Sequence, residues 1–404
     1  MYLIVGQGAA GTSAAKILRR LDPATPVTMV TAEEDYFYNR VDLPDIIAGK
    51  YEPAAAELQG ARDFQMLGIT CRMGVAVQRI HAGEKVAQLA SGEELKYKKL
   101  LIATGSTPLL PRLPGIDARG ICQLWTMEQA RSITRAARDA REAVVIGAGL
   151  IGLKVATALA SHGLKVTLIE KLPRIMPRQL DDTAAEIISN ALRRAGIELL
   201  LDTEVEGLLS DDGRVTAVEA GGRRLACQMV VVAVGVKPNT ELAQTADVAV
   251  NRGIVVDRRQ QTSVADIYAA GDVAETVDPF TGQPAVPAIW PAAVREGELA
   301  GHNMAGYPLE YEGSVAMNAV EIAGIPLVSI GDVEGAPGDE ALVTQGAGFY
   351  RKLVLHEKTV RGVLCVGDIR HSGVLGAQII RQTEIADPTV LVFPHFSFAH
   401  LIDN

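Results

Sequence analysis

The chain has 404 residues, 48% hydrophobic and 22% charged, with 39 glycines and 19 prolines, which excludes a small stapled scaffold or a disordered chain and favours two or three domains. A formal charge of -9 leaves no cationic footprint for phosphate backbones, so nucleic acid is not an expected partner. Cys71, Cys122, Cys227 and Cys365 are scattered, without CxxC or histidines at ligand spacing, so each reads as a small buried hydrophobe and no metal is expected.

The first apolar run, Tyr2 to Val5, has no basic leader and is too short to span a bilayer; no membrane span and a cytoplasmic location are expected. It ends in Gly6, Gly8 and Gly11, followed by an alanine-rich helical stretch to Leu21 and a second apolar run, Val27 to Thr31. That order of strand, glycine turn, helix and strand is a βαβ unit with a parallel sheet. Leu100 to Ile102 reads as a buried strand closing on Ala103-Thr104-Gly105, and Pro108, Pro111 and Pro114 then mark an extended crossover.

Gly147, Gly149, Gly152 and Ala156 repeat Gly6, Gly8, Gly11 and Ala15 at a constant displacement of 141 residues. They lie between an apolar run at Ala143 to Ile146 and a helical stretch from Gly152 to His162, with a further strand at Lys165 to Ile169. Val230 to Gly235 repeats Leu100 to Gly105, and Pro238 marks a return crossover. From about Tyr307 short strands take over, such as Phe349 to Leu355 and Val360 to Cys365, before a helix around Val374 to Gln382. The expected fold is α/β: two Rossmann-like dinucleotide-binding domains and a small α+β C-terminal domain.

A dinucleotide pyrophosphate needs backbone N–H groups and a helix N-terminus at close range, and glycine at the second and third motif positions removes the side chains that would obstruct it. Such turns also occur as tight packing corners, but two at equal offset, each between strand and helix, point to two nucleotide sites. One would hold a tightly bound flavin and the other a diffusing nicotinamide nucleotide. Glu33 lies 22 residues after Gly11 and Glu170 lies 18 after Gly152, near the spacing of a ribose-binding carboxylate; Glu34 is an alternative to Glu33. A carboxylate at Glu170 favours NADH over NADPH, with Lys171 and Arg174 close enough to soften the preference.

Thr262-Ser263-Val264-Ala265-Asp266-Ile267-Tyr268-Ala269-Ala270-Gly271-Asp272-Val273 resembles the flavin-binding signature of the FAD-dependent pyridine nucleotide-disulfide oxidoreductase superfamily. The resemblance covers almost the whole chain and is nearest to the rubredoxin and ferredoxin reductases and the FAD portion of nitrite reductase. It implies that residues 1–110 and 226–306 form a discontinuous FAD domain, that 111–225 form an inserted NAD domain, and that 307–404 form an interface domain. It further implies that Asp272 bonds a flavin ribityl hydroxyl, although the residue could simply cap the next helix. Tyr38-Asn39-Arg40-Val41-Asp42-Leu43 resembles the stretch whose arginine, here Arg40, approaches the FAD phosphates. Trp290-Pro291-Ala292-Ala293-Val294-Arg295-Glu296-Gly297 resembles the late helix aimed at the flavin, with Trp290 either beside the ring or simply in the core. Ala103 and Gly105 join the FAD set, with Gly6, Gly8 and Gly11, while Gly147, Gly149, Gly152 and Glu170 take NAD.

Thiol-using relatives carry cysteine shortly after the first βαβ unit, whereas this chain has Asn39 to Ile47 there, so disulfide reductase and thiol peroxidase chemistry are not expected. In oxygenase-coupled ferredoxin reductases a lysine and a glutamate pair near flavin N5. The matching positions here are Asp45 and Lys154, an inverted pair, unless Lys154 is an ordinary surface lysine. The expected activity is NADH:acceptor oxidoreduction, with hydride passing between nicotinamide and FAD and electrons exchanged with an iron-sulfur carrier or an iron-sulfur subunit of a larger complex. The alternatives are an NADH oxidase or diaphorase, or a non-catalytic flavin-bearing assembly or sensor subunit. Arg351, Lys352 and Arg381 are candidate docking cations for an acidic carrier.

Overall fold

In a computed structural model of the chain, the residues described are 1–385, 387–393 and 396. Two parallel sheets of the same design hold the nucleotide motifs. The first runs in the order Ile267–Ala269, Lys99–Ile102, Tyr2–Val5, Val27–Val30 and Ile69–Arg72, and the second in the order Ile121–Cys122, Met229–Val232, Glu142–Ile146, Lys165–Ile169 and Glu198–Leu200. Tyr2–Val5 and Met229–Val232 are buried at every position, as befits parallel strands covered on both faces.

The helices are α1 (Ala9–Leu21), α2 (Leu43–Ile47), α3 (Ala61–Met66), α4 (Met127–Asp139), α5 (Leu150–Ser161), α6 (Asp182–Arg194), α7 (Glu241–Gln244), α8 (Trp290–Met304) and α9 (Ser372–Arg381). Helices α1 and α5 begin directly at the second glycine of each motif, Gly8 and Gly149. Small residues let α1 and α8 approach closely: a Cβ on Gly297 would lie 2.1 Å from the Ala10 carbonyl oxygen, and one on Gly301 would lie 2.9 Å from that of Ala14. Bulk at either position would push the N-terminus of α8 away from Gly271 and Asp272.

The repeat extends beyond the glycine motifs. In each half an antiparallel three-stranded meander, Val77–His81, Val86–Leu89 and Glu94–Lys96, or Val205–Asp211, Arg214–Ala220 and Arg223–Ala226, precedes the strand that closes on the second glycine turn. The two crossovers pair with each other, Ser106–Pro108 against Val236–Pro238. Met229–Val232 is hydrogen-bonded to Glu142–Ile146 within the second sheet, so the chain leaves the second unit through the crossover at Val236–Pro238, on its way to Ile267–Ala269 of the first sheet, and not at residue 226. The reason is that this strand lies beside the central strand Glu142–Ile146 of the second sheet, as Lys99–Ile102 lies beside Tyr2–Val5 in the first.

The third unit is an antiparallel sheet in the order Met317–Ile322, Ile325–Gly331, Thr359–Val366, Phe349–His356 and Glu340–Gly346. Leu327, Tyr350 and Leu364 join the core formed by α2 and α5, while Val328, Leu353 and Val363 join α9 on the other side. The last part of the expected 307–404 unit lies outside the described residues. Among the described residues no helix is long and apolar enough to cross a membrane.

Candidate active site

The two glycine turns are built alike. Gly6 and Gly147 have φ of +110° and +102°, and a Cβ on them would strike the carbonyl oxygens of Ala103 and Ala233 at 2.0 and 2.4 Å. On Gly11 and Gly152 a Cβ would lie 2.0 and 1.9 Å from the carbonyl oxygens of Gly6 and Gly147. A Cβ on Gly8 or Gly149 would meet nothing within 4 Å. The first and third glycines therefore serve the close packing of turn, helix and neighbouring strand, and the second alone leaves space in front of the helix N-terminus. The sequence expectation that the third glycine clears the ligand's approach is corrected accordingly. An open position at a helix N-terminus is the cradle that a pyrophosphate fits.

The carboxylates at the two strand ends are held differently. Glu33 Oε1 accepts from Arg40 Nη2 at 2.7 Å, and its Oε2 accepts from the Tyr38 hydroxyl at 2.6 Å. Arg40 also donates to the Trp125 carbonyl and lies over the rings of Tyr38 and Trp125. Glu33 and Arg40 are thus brought together, each on the other. Glu170 accepts from the Ala148 N–H through Oε2 at 2.8 Å and from the Leu172 N–H through Oε1 at 3.0 Å, which fixes its carboxylate against the middle residue of the second glycine turn.

Asp272 follows the strand Ile267–Ala269 and accepts at Oδ2 from the Ser106 hydroxyl at 2.9 Å. Burial lifts its carboxyl above the usual range, against the Ser106 hydrogen bond and the nearby charge of Arg40. Behind it, Glu296 on α8 is 1% exposed and accepts at Oε2 from the Gly271 N–H at 2.8 Å. Burial pushes the Glu296 carboxyl up to about 8, with the Asp272 charge adding to the rise against hydrogen bonding. The ring of Trp290 stacks on that of Phe37, centroids 5.6 Å apart.

Asp45 on α2 and Lys154 on α5 form an ion pair at 3.1 Å, with Lys50 on the same carboxylate at 2.8 Å. Burial would raise the Asp45 carboxyl, but hydrogen bonds and charge from Lys50 and Lys154 hold it below its usual range. The pair joins a helix of the first unit to a helix of the second and is only 17–18% exposed, so Lys154 is not an ordinary surface lysine.

Burial raises all four thiols, that of Cys71 to about 11 and that of Cys227 to about 12. The docking cations need correction. Arg351 is 0% exposed and donates to the carbonyls of Arg370 and Phe393, Lys352 faces Asp181 at 3.5 Å, and only Arg381 is exposed. The strand Phe349–His356 is packed on both faces, by Tyr350 on one side and Leu353 and Leu355 on the other, so the consecutive Arg351 and Lys352 both meet protein although they point to opposite faces, which strand composition alone does not reveal.

Sequence reasoning missed Ser106, Glu296, Lys50 and the backbone of Ala148. Glu296 had a signal: it sits in helical register with Ala292, Ala293 and Ala300, which are buried with it, so a carboxyl was due to face inward.

Residues 1–297 match the family described as pyridine nucleotide-disulphide oxidoreductase. The NADH-dependent phenylglyoxylate dehydrogenase subunit epsilon of Aromatoleum evansii is 31% identical over 95% of this chain and 92% of its own length. An NADH oxidase of Methanocaldococcus jannaschii is 31% identical over 81% of this chain and 76% of its own. The crystal structure of NADH:rubredoxin oxidoreductase from Clostridium acetobutylicum superposes with a TM-score of 0.78 at 26% identity, covering 100% of this chain and 99% of that one.

Proposed function

The chain belongs to the pyridine nucleotide-disulphide oxidoreductase family and is an NAD(H)-dependent flavin oxidoreductase, and we propose that it exchanges electrons between NAD(H) and an iron-sulfur protein, either a small carrier or a subunit of a larger complex. Bound FAD would supply the step between the two-electron nicotinamide and a one-electron partner.

In this reading the first sheet is the FAD domain and the second the NAD domain. The open position at Gly8 receives the FAD pyrophosphate, and Asp272, oriented by Ser106, accepts a hydrogen bond from a ribityl hydroxyl. Glu33 and Arg40 exchange their mutual contact for ribose and phosphate, and the α8 N-terminus at Trp290 faces developing negative charge. On the other side Glu170, held by two backbone N–H groups, accepts from the ribose diol and repels a 2′-phosphate. Lys154, anchored by Asp45, keeps a cation where α2 of the first unit meets α5 of the second.

The observation that carries the reading is the combination of two open glycine cradles with four thiols that burial keeps protonated. A thiol relay is unsuited to such cysteines, so electrons leave from the cofactor directly. The similarity to a rubredoxin oxidoreductase supports an iron-sulfur carrier, and the similarity to a protein named as a subunit of an NADH-dependent dehydrogenase supports a larger complex. The test is NADH-driven reduction of rubredoxin, ferredoxin, oxygen and dyes across a salt series, with identification of copurifying subunits. Fast turnover with oxygen or dyes, inert iron-sulfur proteins and no copurifying iron-sulfur subunit would replace the proposal with an oxidase or diaphorase.

A further inference from the structure

The loop from Lys171 to Asp181 leaves the strand that ends beside Glu170 and folds back onto the second glycine turn, where the Met176 N–H donates to the Ala148 carbonyl at 3.0 Å. The same residue, Ala148, donates its N–H to Glu170. The loop is therefore seated on the proposed NAD site, and Arg174 rides on it.

In NADP-dependent Rossmann sites an arginine close to this strand end accommodates the 2′-phosphate. Arg174 is four residues beyond Glu170 but is committed elsewhere. Its Nη1 meets Asp182 Oδ1 at 2.9 Å, while its Nη2 donates to the Pro177 carbonyl at 3.1 Å and pairs with Glu334 of the third unit. The third unit grips the end of the same loop as well: the Tyr350 hydroxyl donates to Asp181 Oδ2 at 2.5 Å, and Lys352 Nζ lies 3.5 Å from that oxygen. Lys171, the other cation, pairs with Glu204 at 2.7 Å on an open surface, where such a pair restrains little.

We propose that Glu334 of the third unit, together with Asp182 at the start of α6, enforces the preference for NADH, the two acting as positioning residues that hold Arg174 away from the ribose 2′-position. The proposal rests on the reading that the Glu170 end receives the adenosine ribose. It makes discrimination a product of two parts: a carboxylate that repels the 2′-phosphate, and the withholding of the guanidinium that would otherwise attract it. Asp182 and Glu334 are largely exposed while Arg174 is mostly covered, so what withholds the guanidinium is the direction in which its Nη1 and Nη2 are already committed rather than neutralisation of its charge.

The experiment uses FAD-loaded full-length protein and equilibrium titrations with NAD+, NADP+ and 2′,5′-ADP, read by fluorescence quenching, so that binding is measured apart from turnover. Glu334→Ala combined with Asp182→Asn is expected to raise NADP+ affinity relative to NAD+ by about fivefold or more. Adding Arg174→Ala is expected to abolish that gain, whereas Glu334→Asp alone keeps the parent ratio. An unchanged ratio in the double variant, or a gain that survives removal of Arg174, overturns the proposal. Failure of the underlying reading looks different: Glu170→Ala would then leave NAD+ affinity untouched, and both conclusions would fall together.

Discussion

Glu296→Gln isolates the energetic consequence of a carboxyl buried behind the proposed flavin site. The native group titrates at about 8 against a reference of 4.5, so between those values the folded chain holds a proton that the unfolded chain releases. Unfolding is then favoured as pH rises: the contribution is complete below pH 4.5, declines through the window up to about 8, and is flat above it. Taking both values through the linkage relation gives a loss of about 2 kcal/mol between pH 6 and pH 8 from this group alone. In the Gln variant the side-chain carbonyl can still accept from the Gly271 N–H but nothing ionises, so the decline should disappear. Burial lowers the pKa of His302 on the same helix and acts in the opposite direction over part of the window. It does so in both proteins, and the difference between them reports Glu296. The assay is urea unfolding of FAD-loaded protein at pH 6, 7 and 8, and parallel pH slopes for the two proteins would refute the reasoning.

The glycine turns predict a split between binding and stability. Gly149→Ala should leave the unfolding midpoint in place while weakening NADH binding, whereas Gly152→Ala, whose Cβ would lie 1.9 Å from a carbonyl oxygen, should cost about 2–3 kcal/mol of stability; titration and urea unfolding of both variants check this. Replacing all four cysteines by serine should preserve anaerobic flavin reduction by one NADH per FAD, at a cost of about 1–3 kcal/mol for each hydroxyl left unpaired at buried Cys227 or Cys365; loss of a thiolate charge-transfer band, or of an extra electron pair, would expose a redox sulfur. Lys154→Ala withdraws a cation from the contact between α2 and α5 and should lower the flavin midpoint potential by on the order of 20–30 mV and slow reduction by NADH. Spectroelectrochemistry and stopped-flow showing neither change would remove the Asp45–Lys154 pair from the site.

Much of this molecule is encoded locally. A strand buried on both faces must be continuously apolar, and a turn position where a Cβ would lie 2.0–2.4 Å from a neighbouring carbonyl oxygen must be glycine, so Tyr2–Val5, Gly6, Gly147 and their repeats are legible residue by residue. Spacing also places Glu33, Glu170 and Asp272 at strand ends, because a strand's length and the helix that follows it fix where the chain re-emerges. What spacing cannot express is which distant group each of these carboxylates meets. Only the folded chain turns Glu33 to Arg40 and Tyr38, Glu170 to Ala148, and Asp272 to Ser106. Those contacts join segments as far as 166 residues apart, and nothing local distinguishes one partner from another. The return of the chain at Val236–Pro238 was likewise decided by sheet pairing, since Met229–Val232 is apolar enough for either sheet and only its hydrogen-bonded neighbours assign it. Arg351 makes the same point for charge: a strand gives an arginine a face, but whether that face meets water or other chain depends on what packs over it, and here it meets the carbonyls of Arg370 and Phe393.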